Sequence, residues 1–198
     1  MKFGILESTL NESDDDVIIG FVAPINIHSN QPVSISNSLS LKTSTSSHKV
    51  QRWELEANIE PSNTLPRFLT HSLKHGHTKP FLVRMPQVNI TIPDLIFKLE
   101  KDVLAGSTKI QVSQEGIPMG AFINIGKYNQ KVYLVIGVED DIIEISPPIN
   151  YDAKKLEVIH VGKDCVLRAR YSDEVGLGIK YTDGILADPG TIKLIEAL

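Results

Sequence analysis

The residues best equipped for chemistry are His71, His75 and His77. Histidines four apart on a helix share a face, and two imidazoles so placed can hold a metal ion. The hydrolytic version of that pattern needs a glutamate beside the first histidine, and His71-Ser72-Leu73-Lys74-His75 has none, nor does a carboxylate follow close by. Lys74 and His75 fit the last turn of a helix instead, where cations oppose the negative end of the dipole and Gly76 supplies the C-cap. Cys165 sits in the strand-like run Cys165-Val166-Leu167-Arg168-Ala169-Arg170 without a base nearby, which is the setting of a small buried thiol. The serines at 34–47 occupy no Gly-x-Ser-x-Gly elbow, and Gly176-Leu177-Gly178 is not a phosphate loop. Asp140-Asp141 and Asp173-Glu174 are adjacent pairs, which point apart on a turn or strand, and Asp14-Asp15-Asp16 lacks the ligand spacing of a calcium loop. No catalytic residue, metal ligand or cofactor is therefore expected, and the chain reads as non-enzymatic. The one enzymatic alternative is a metal centre at the three histidines.

The elements that would position any of these residues follow from composition and periodicity. The chain has 198 residues, 41% hydrophobic and 22% charged, with a net charge of −4, an ordinary globular composition with enough core to fold without staples. A single cysteine excludes an internal disulfide framework. The start, Met1-Lys2-Phe3-Gly4-Ile5-Leu6-Glu7, reaches an acid before a signal core could form, and no apolar run approaches the about 20 residues of a membrane helix. Neither export nor a membrane partner is expected. The mildly acidic balance also lacks the footprint of a nucleic-acid binder.

Period two dominates. Trp53, Leu55, Ala57 and Ile59 alternate with Arg52, Glu54, Glu56 and Asn58, which predicts a half-buried strand over 50–59. Strands are likewise predicted at 17–22, 33–41 and 81–85. One helix is expected after Pro61-Ser62-Asn63-Thr64, with Leu65, Phe68, Leu69, Ser72 and Leu73 at helical spacing up to Gly76. The polar stretch 42–49 has little to bury and reads as an exposed loop or hairpin arm. Beyond about residue 93 short strands follow at closer intervals, at 109–112, 121–125, 131–138, 142–145, 156–161 and 165–171, suggesting a small barrel. The tail from 174 reads as strands, with a helical turn at 192–198 as the alternative. Since so short a tail cannot bury its own apolar face, it is expected to pack on the first module. The predicted fold is mainly β: a β-sandwich with one helix, built from 1–93 together with 174–198, carrying an inserted OB-like small β-barrel at 94–173.

Several stretches match a known pattern. Lys49-Val50-Gln51-Arg52-Trp53-Glu54-Leu55, then Ile59-Glu60-Pro61, a helix and Phe81-Leu82-Val83-Arg84-Met85-Pro86-Gln87, resemble tail-tip proteins of long-tailed bacteriophages. Leu104-Ala105-Gly106-Ser107-Thr108, Gly120-Ala121-Phe122-Ile123-Asn124-Ile125, Lys131-Val132-Tyr133-Leu134-Val135, Ile145-Ser146-Pro147-Pro148-Ile149 and the ending Tyr181 to Thr191 look like the same group. The family resembled is the distal tail (Dit) proteins of siphophages, in the version with a β-sandwich ring domain and an inserted OB-fold-like barrel.

What the resemblance implies is a homo-oligomeric ring of six subunits that joins the tail tube protein to the tail-tip hub or baseplate proteins. DNA would cross its channel in transit, and the protein would reside in the virion tail tip after synthesis in the host cytoplasm. Sandwich edge strands and the arm Lys42, Thr43, Ser44, Thr45, Ser46, Ser47, His48 and Lys49 are the expected interface, because an unpaired edge is a template for a neighbouring chain. The alternatives are a related tube or tip ring, or a carbohydrate- or host-surface-binding module with Tyr128 and Tyr151 as ligand-facing aromatics.

Overall fold

The computed structural model describes residues 3–6, 17–30, 33–37, 43–47, 51–61, 70–73, 79–87, 95–126, 131–172, 180–182, 186–188 and 190–197. Six strands close a barrel: β1 (Gly4–Leu6), β2 (Val17–Asn30), β5 (Arg52–Ile59), β16 (Thr191–Glu196), β13 (Val166–Tyr171) and β6 (Phe81–Arg84), in that order around the ring. Closure comes from β1, which pairs with β2 on one side and with β6 on the other, Ile5 opposite both Ile19 and Val83. The alternation in β5 carries Trp53, Leu55, Ala57 and Ile59 into the core, as the period-two pattern requires. β2 is long enough to serve two neighbours: its first residues pair with β1 and Phe21–Asn30 pair with β5, with a register shift between Val22 and Ile25 that accommodates Pro24.

Gly4 marks the tightest approach. Its φ is +155°, and a Cβ there would lie 2.0 Å from the Ile19 carbonyl oxygen, so no other residue fits between β1 and β2.

Two ribbons stand apart from the barrel ladders. β3 (Val33–Asn37) pairs with β4 (Thr43–Ser47), and β14 (Lys180–Thr182) pairs with β15 (Leu186–Asp188). The first lies in the chain between β2 and β5, whose ladder ends at Asn30 opposite Arg52, while Val33 stands opposite Ser47.

Between β6 and β13, adjacent antiparallel strands of the barrel, the chain makes a second sheet. Its strands are β7 (Phe97–Lys98), β8 (Lys109–Gln111), β9 (Phe122–Ile125), β10 (Tyr133–Glu139), β11 (Ile142–Ser146) and β12 (Val158–Val161), ordered β7-β12-β9-β10-β11-β8. The sheet curls until its two edges meet, with Leu99 bridging Val112 and Ser113 N donating to Lys98 O at 2.8 Å. A separate core fills it, including Phe97, Ile110, Ile123, Tyr133, Ile143 and Ile159. Asp140 and Asp141 form the two-residue turn between β10 and β11, Asp140 with φ +54°.

The structure bears out a mainly β chain with a small barrel. It corrects three details. The strands expected to form an open sandwich close on themselves through the β1–β6 ladder. Cys165–Tyr171, placed with the insert because its alternation fits either module, pairs with β6 and β16 and belongs to the barrel, which ends the inserted sheet before residue 165. The inserted sheet has six strands joined by antiparallel ladders, where an OB barrel has five. The ending at 191–196 is a strand, not a helical turn. Of the expected helix, residues 70–73 are described and helical; 62–69 and 74–78 lie outside the described residues. Within it Leu73 is 82% exposed while His71 and Ser72 are buried, the reverse of the apolar spacing, because the buried side faces a tyrosine hydroxyl.

Candidate functional site

The most constrained place in the molecule is where the inserted sheet meets the barrel. β16 alternates Ile192, Leu194 and Glu196 towards the core, so its period carries a carboxylate inside, where Glu196 is 1% exposed. β5 brings Trp53 beside it, and the segment leading into β10 brings Lys131 and Val132 from the insert. Lys131 Nζ donates to Glu196 Oε2 at 2.6 Å and also to Gln51 O. The same carboxylate accepts Trp53 N at 3.2 Å on Oε2 and Val132 N at 3.1 Å on Oε1. The Trp53 indole Nε1 donates back to Val132 O at 2.7 Å, and its ring meets Phe122 edge-on with centroids 5.4 Å apart. Phe122 and Val132, both from the insert, thereby join the barrel core.

Two amides tie the neighbouring backbone. Asn124 donates to Lys131 O at 2.9 Å and accepts Val166 N at 2.7 Å, linking β9, the start of β10 and the first residue of β13. Gln87 accepts Phe122 N at 3.0 Å on Oε1, and its Nε2 lies 3.4 Å from Phe122 O and 3.5 Å from Gly162 O. The segments entering and leaving the insert are thus bound to the same strand.

Burial pulls the Lys131 ammonium below its ordinary range, and the adjacent Glu196 carboxylate opposes the shift. With one lysine and two backbone N–H groups on it, Glu196 is saturated and closed to solvent. The arrangement satisfies buried charge across a joint, as buried ion pairs require.

The residues singled out from sequence fall elsewhere. His71 lies against Phe81, ring centroids 4.8 Å apart, with Nδ1 3.4 Å from Tyr171 Oη, which is also 3.1 Å from Ser72 Oγ. The 70–73 segment so seals the ends of β6 and β13 remote from the insert. His75 and His77 lie outside the described residues. Cys165 is fully buried, and burial pushes its thiol far up, only partly offset by Gln87. Tyr151 is half-buried, and its hydroxyl donates to Glu157 Oε2 at 2.6 Å with Ile125 O 3.1 Å away, so that end is engaged within the fold. Tyr128 lies outside the described residues. Of the arm, Thr43, Ser44, Thr45, Ser46 and Ser47 form β4, and Lys42, His48 and Lys49 lie outside the described residues.

The barrel flank carries one shallow polar groove lined by His28, Glu54, Glu56, Ser172 and Lys193. The register sets His28 opposite Glu54 and Lys193 opposite Glu56, and Asn30 Nδ2 donates to Glu54 Oε1 at 2.6 Å. Lys193 and Glu56 are opposite charges facing across strands on a solvated face.

Sequence reasoning missed Lys131, Glu196, Asn124 and Gln87. One signal was available: Glu196 occupies an inward position of an alternating strand. Compared with known proteins, the chain matches no protein-family model and no curated sequence.

Proposed function

We propose that this chain is a non-enzymatic structural subunit of a phage tail tip, of the distal tail type, forming a homo-oligomeric ring of six that joins the tail tube to the tip hub or baseplate. Its place is the virion, and DNA meets it only in transit. The sequence resemblance supplies the family. The structural observation that carries the reading is the β3–β4 ribbon, a two-stranded sheet separate from the barrel that has no third strand beside it among the described residues. Among the described residues most barrel staves are paired on both sides, so a neighbouring subunit meets free backbone at such a ribbon and along the second half of β2, whose ladder is with β5 alone. Contacts of this kind are heterologous, and a heterologous contact that closes makes a ring. The junction at Glu196 suits the role, because it holds the insert to the barrel as one stiff body.

The test is light scattering on a size-exclusion column, with negative-stain images of the peak, for the parent chain and for a variant in which 42–49 is replaced by a short turn. A closed ring in the parent that the shortened variant cannot form, at unchanged thermal stability, supports the reading. A monomer at every concentration, with and without added tail tube protein, overturns it; a ring indifferent to the arm moves the interface elsewhere.

A further inference from the structure

The inserted sheet contains an internal repeat that its amino acids conceal. Leu99 N donates to Glu157 O at 2.9 Å, and Ile149 N donates to Ser107 O at 3.0 Å. Leu156 N donates to Leu99 O at 2.8 Å, and Gly106 N to Ile149 O at 2.7 Å. Val103 and Ala153 exchange both of their backbone bonds, at 2.9 and 2.8 Å. Ser107 N reaches Leu104 O at 3.1 Å, and Glu157 N reaches Lys154 O at 3.1 Å. Two side chains follow the same rule: Asp152 Oδ1 accepts Ala105 N at 2.9 Å, and Asp102 Oδ1 accepts Lys155 N at 2.7 Å. Each bond becomes its partner when 50 is added to the residue in one stretch and subtracted from the residue in the other (99 + 50 = 149, 157 − 50 = 107). Even the left-handed residues correspond, Gly106 at φ +91° and Leu156 at φ +70°. The flanking strands pair in the same outline, β7 with β12 and β11 with β8, the second ladder being shifted by three residues from the register the rule gives.

We propose that residues 99–107 and 149–157 are two copies of one bridge-and-turn unit, interlocked about an internal two-fold axis, and that their turns open and close together. Asp102 and Asp152 are equivalent positioning residues, each holding the other copy's turn. The reasoning is independent of any role in a tail. Asp102 also carries the asymmetry between the copies, meeting Lys154 Nζ at 3.4 Å, while Glu157 accepts Lys154 N at 2.8 Å.

The copies diverge at one instructive place. A left-handed backbone suits glycine, as at 106, and strains a leucine. Leu156 is 60% exposed, so its side chain adds little packing, and a Cβ at Gly106 would meet nothing within 4 Å. Exchanging these residues therefore tests backbone conformation almost alone.

The experiment is amide hydrogen exchange of the full chain, read at Ala105 and Lys155, with thermal unfolding alongside. Asp102→Ala is expected to accelerate exchange at both amides, by about tenfold, although only Lys155 loses its acceptor; Asp152→Ala should do the same with roles reversed. Acceleration confined to the amide that lost its carboxylate would overturn the interlock. Leu156→Gly, which removes no bond, is expected to raise the melting midpoint by roughly 2–4 °C and slow exchange at both amides, and Gly106→Leu to lower the midpoint similarly. A fall in the midpoint for Leu156→Gly would refute the equivalence of the two turns.

Discussion

Replacing Glu196 with glutamine changes one atom and removes one charge, yet the joint between barrel and insert leaves it no good arrangement. Both carboxylate oxygens of Glu196 accept N–H groups: Oε2 takes Lys131 Nζ and Trp53 N, and Oε1 takes Val132 N. An amide offers one oxygen, so its NH2 must face a donor whichever way it turns. Lys131 meanwhile stays buried at 6% exposure, with the Gln51 carbonyl still beside it and the Glu196 charge gone. Breaking a buried pair from one side costs about 3–5 kcal/mol, which for a chain of this size lowers the melting midpoint by roughly 6–20 °C. Adding Lys131→Met removes the stranded charge, so the double variant should be more stable than Glu196→Gln alone, and the cycle should show coupling above about 1 kcal/mol. Trp53 is the only tryptophan and is bonded to Val132 O across the joint, so urea unfolding followed by its fluorescence and by far-UV circular dichroism reads the effect where it arises. A Glu196→Gln protein within about 0.5 kcal/mol of the parent, or a double variant that is simply additive, would refute the assignment of this pair as the lock.

Other consequences are as direct. Phe122→Ala removes the edge contact to Trp53 from a residue that belongs to the insert but fills the barrel core; a loss of about 3–5 kcal/mol and a shifted Trp53 emission maximum are expected. Because burial raises the Cys165 thiol, the folded state keeps its proton while the unfolded chain loses it above about pH 8.5. Its stabilising contribution is therefore full below that pH and falls as pH rises, by about 1.4 kcal/mol per unit relative to Cys165→Ala in urea titrations between pH 9 and 11. Gly4→Ala puts a Cβ 2.0 Å from the Ile19 carbonyl and should cost at least about 2 kcal/mol in the same assay. The Asp102 carboxyl is held below its ordinary range by the Lys155 N–H and by Lys154; its contribution is present above about pH 4 and lost as pH falls through the lowered value, so the protection of the Lys155 amide, relative to an unstructured amide at the same pH, should fall in acid ahead of the rest of the sheet.

Faces were legible in the sequence, partners were not. The alternation at 52–59 told which side of β5 is buried, and it held residue by residue. The same alternation at 165–171 said nothing of which sheet would take the strand, because a period of two describes one surface and is blind to the ladder on either side. Closure was hidden for a related reason: β1 is three residues long and β6 four, too short to show a pattern, yet they join the ring. Glu196 was overlooked because an acid near apolar residues reads as the solvent end of a strand, and its partner lies 65 positions away. The repeat in the insert escaped notice because its copies share geometry while Asp102 and Asp152 are almost the only identical residues between them. His71 was read through its imidazole chemistry, whereas its surroundings are Phe81, Tyr171 and Ser72.

The circular order β1-β2-β5-β16-β13-β6 also sets a timetable. A ribosome releases β5 well before β16, its neighbour, since Ile59 and Thr191 are 132 positions apart (191 − 59 = 132), a delay on the order of ten seconds at ordinary elongation rates. During that interval the β2–β5 hairpin waits with one side open, while the entire insert, whose ladders are internal to 97–161, has already emerged and can complete itself. The nascent chain thus passes through a stage with a finished inner module and an unfinished outer one, and sealing the ring also carries Glu196 to Lys131. Closure and docking become a single late event, and the exposed flank of β5 is the surface that a holding chaperone has most reason to cover.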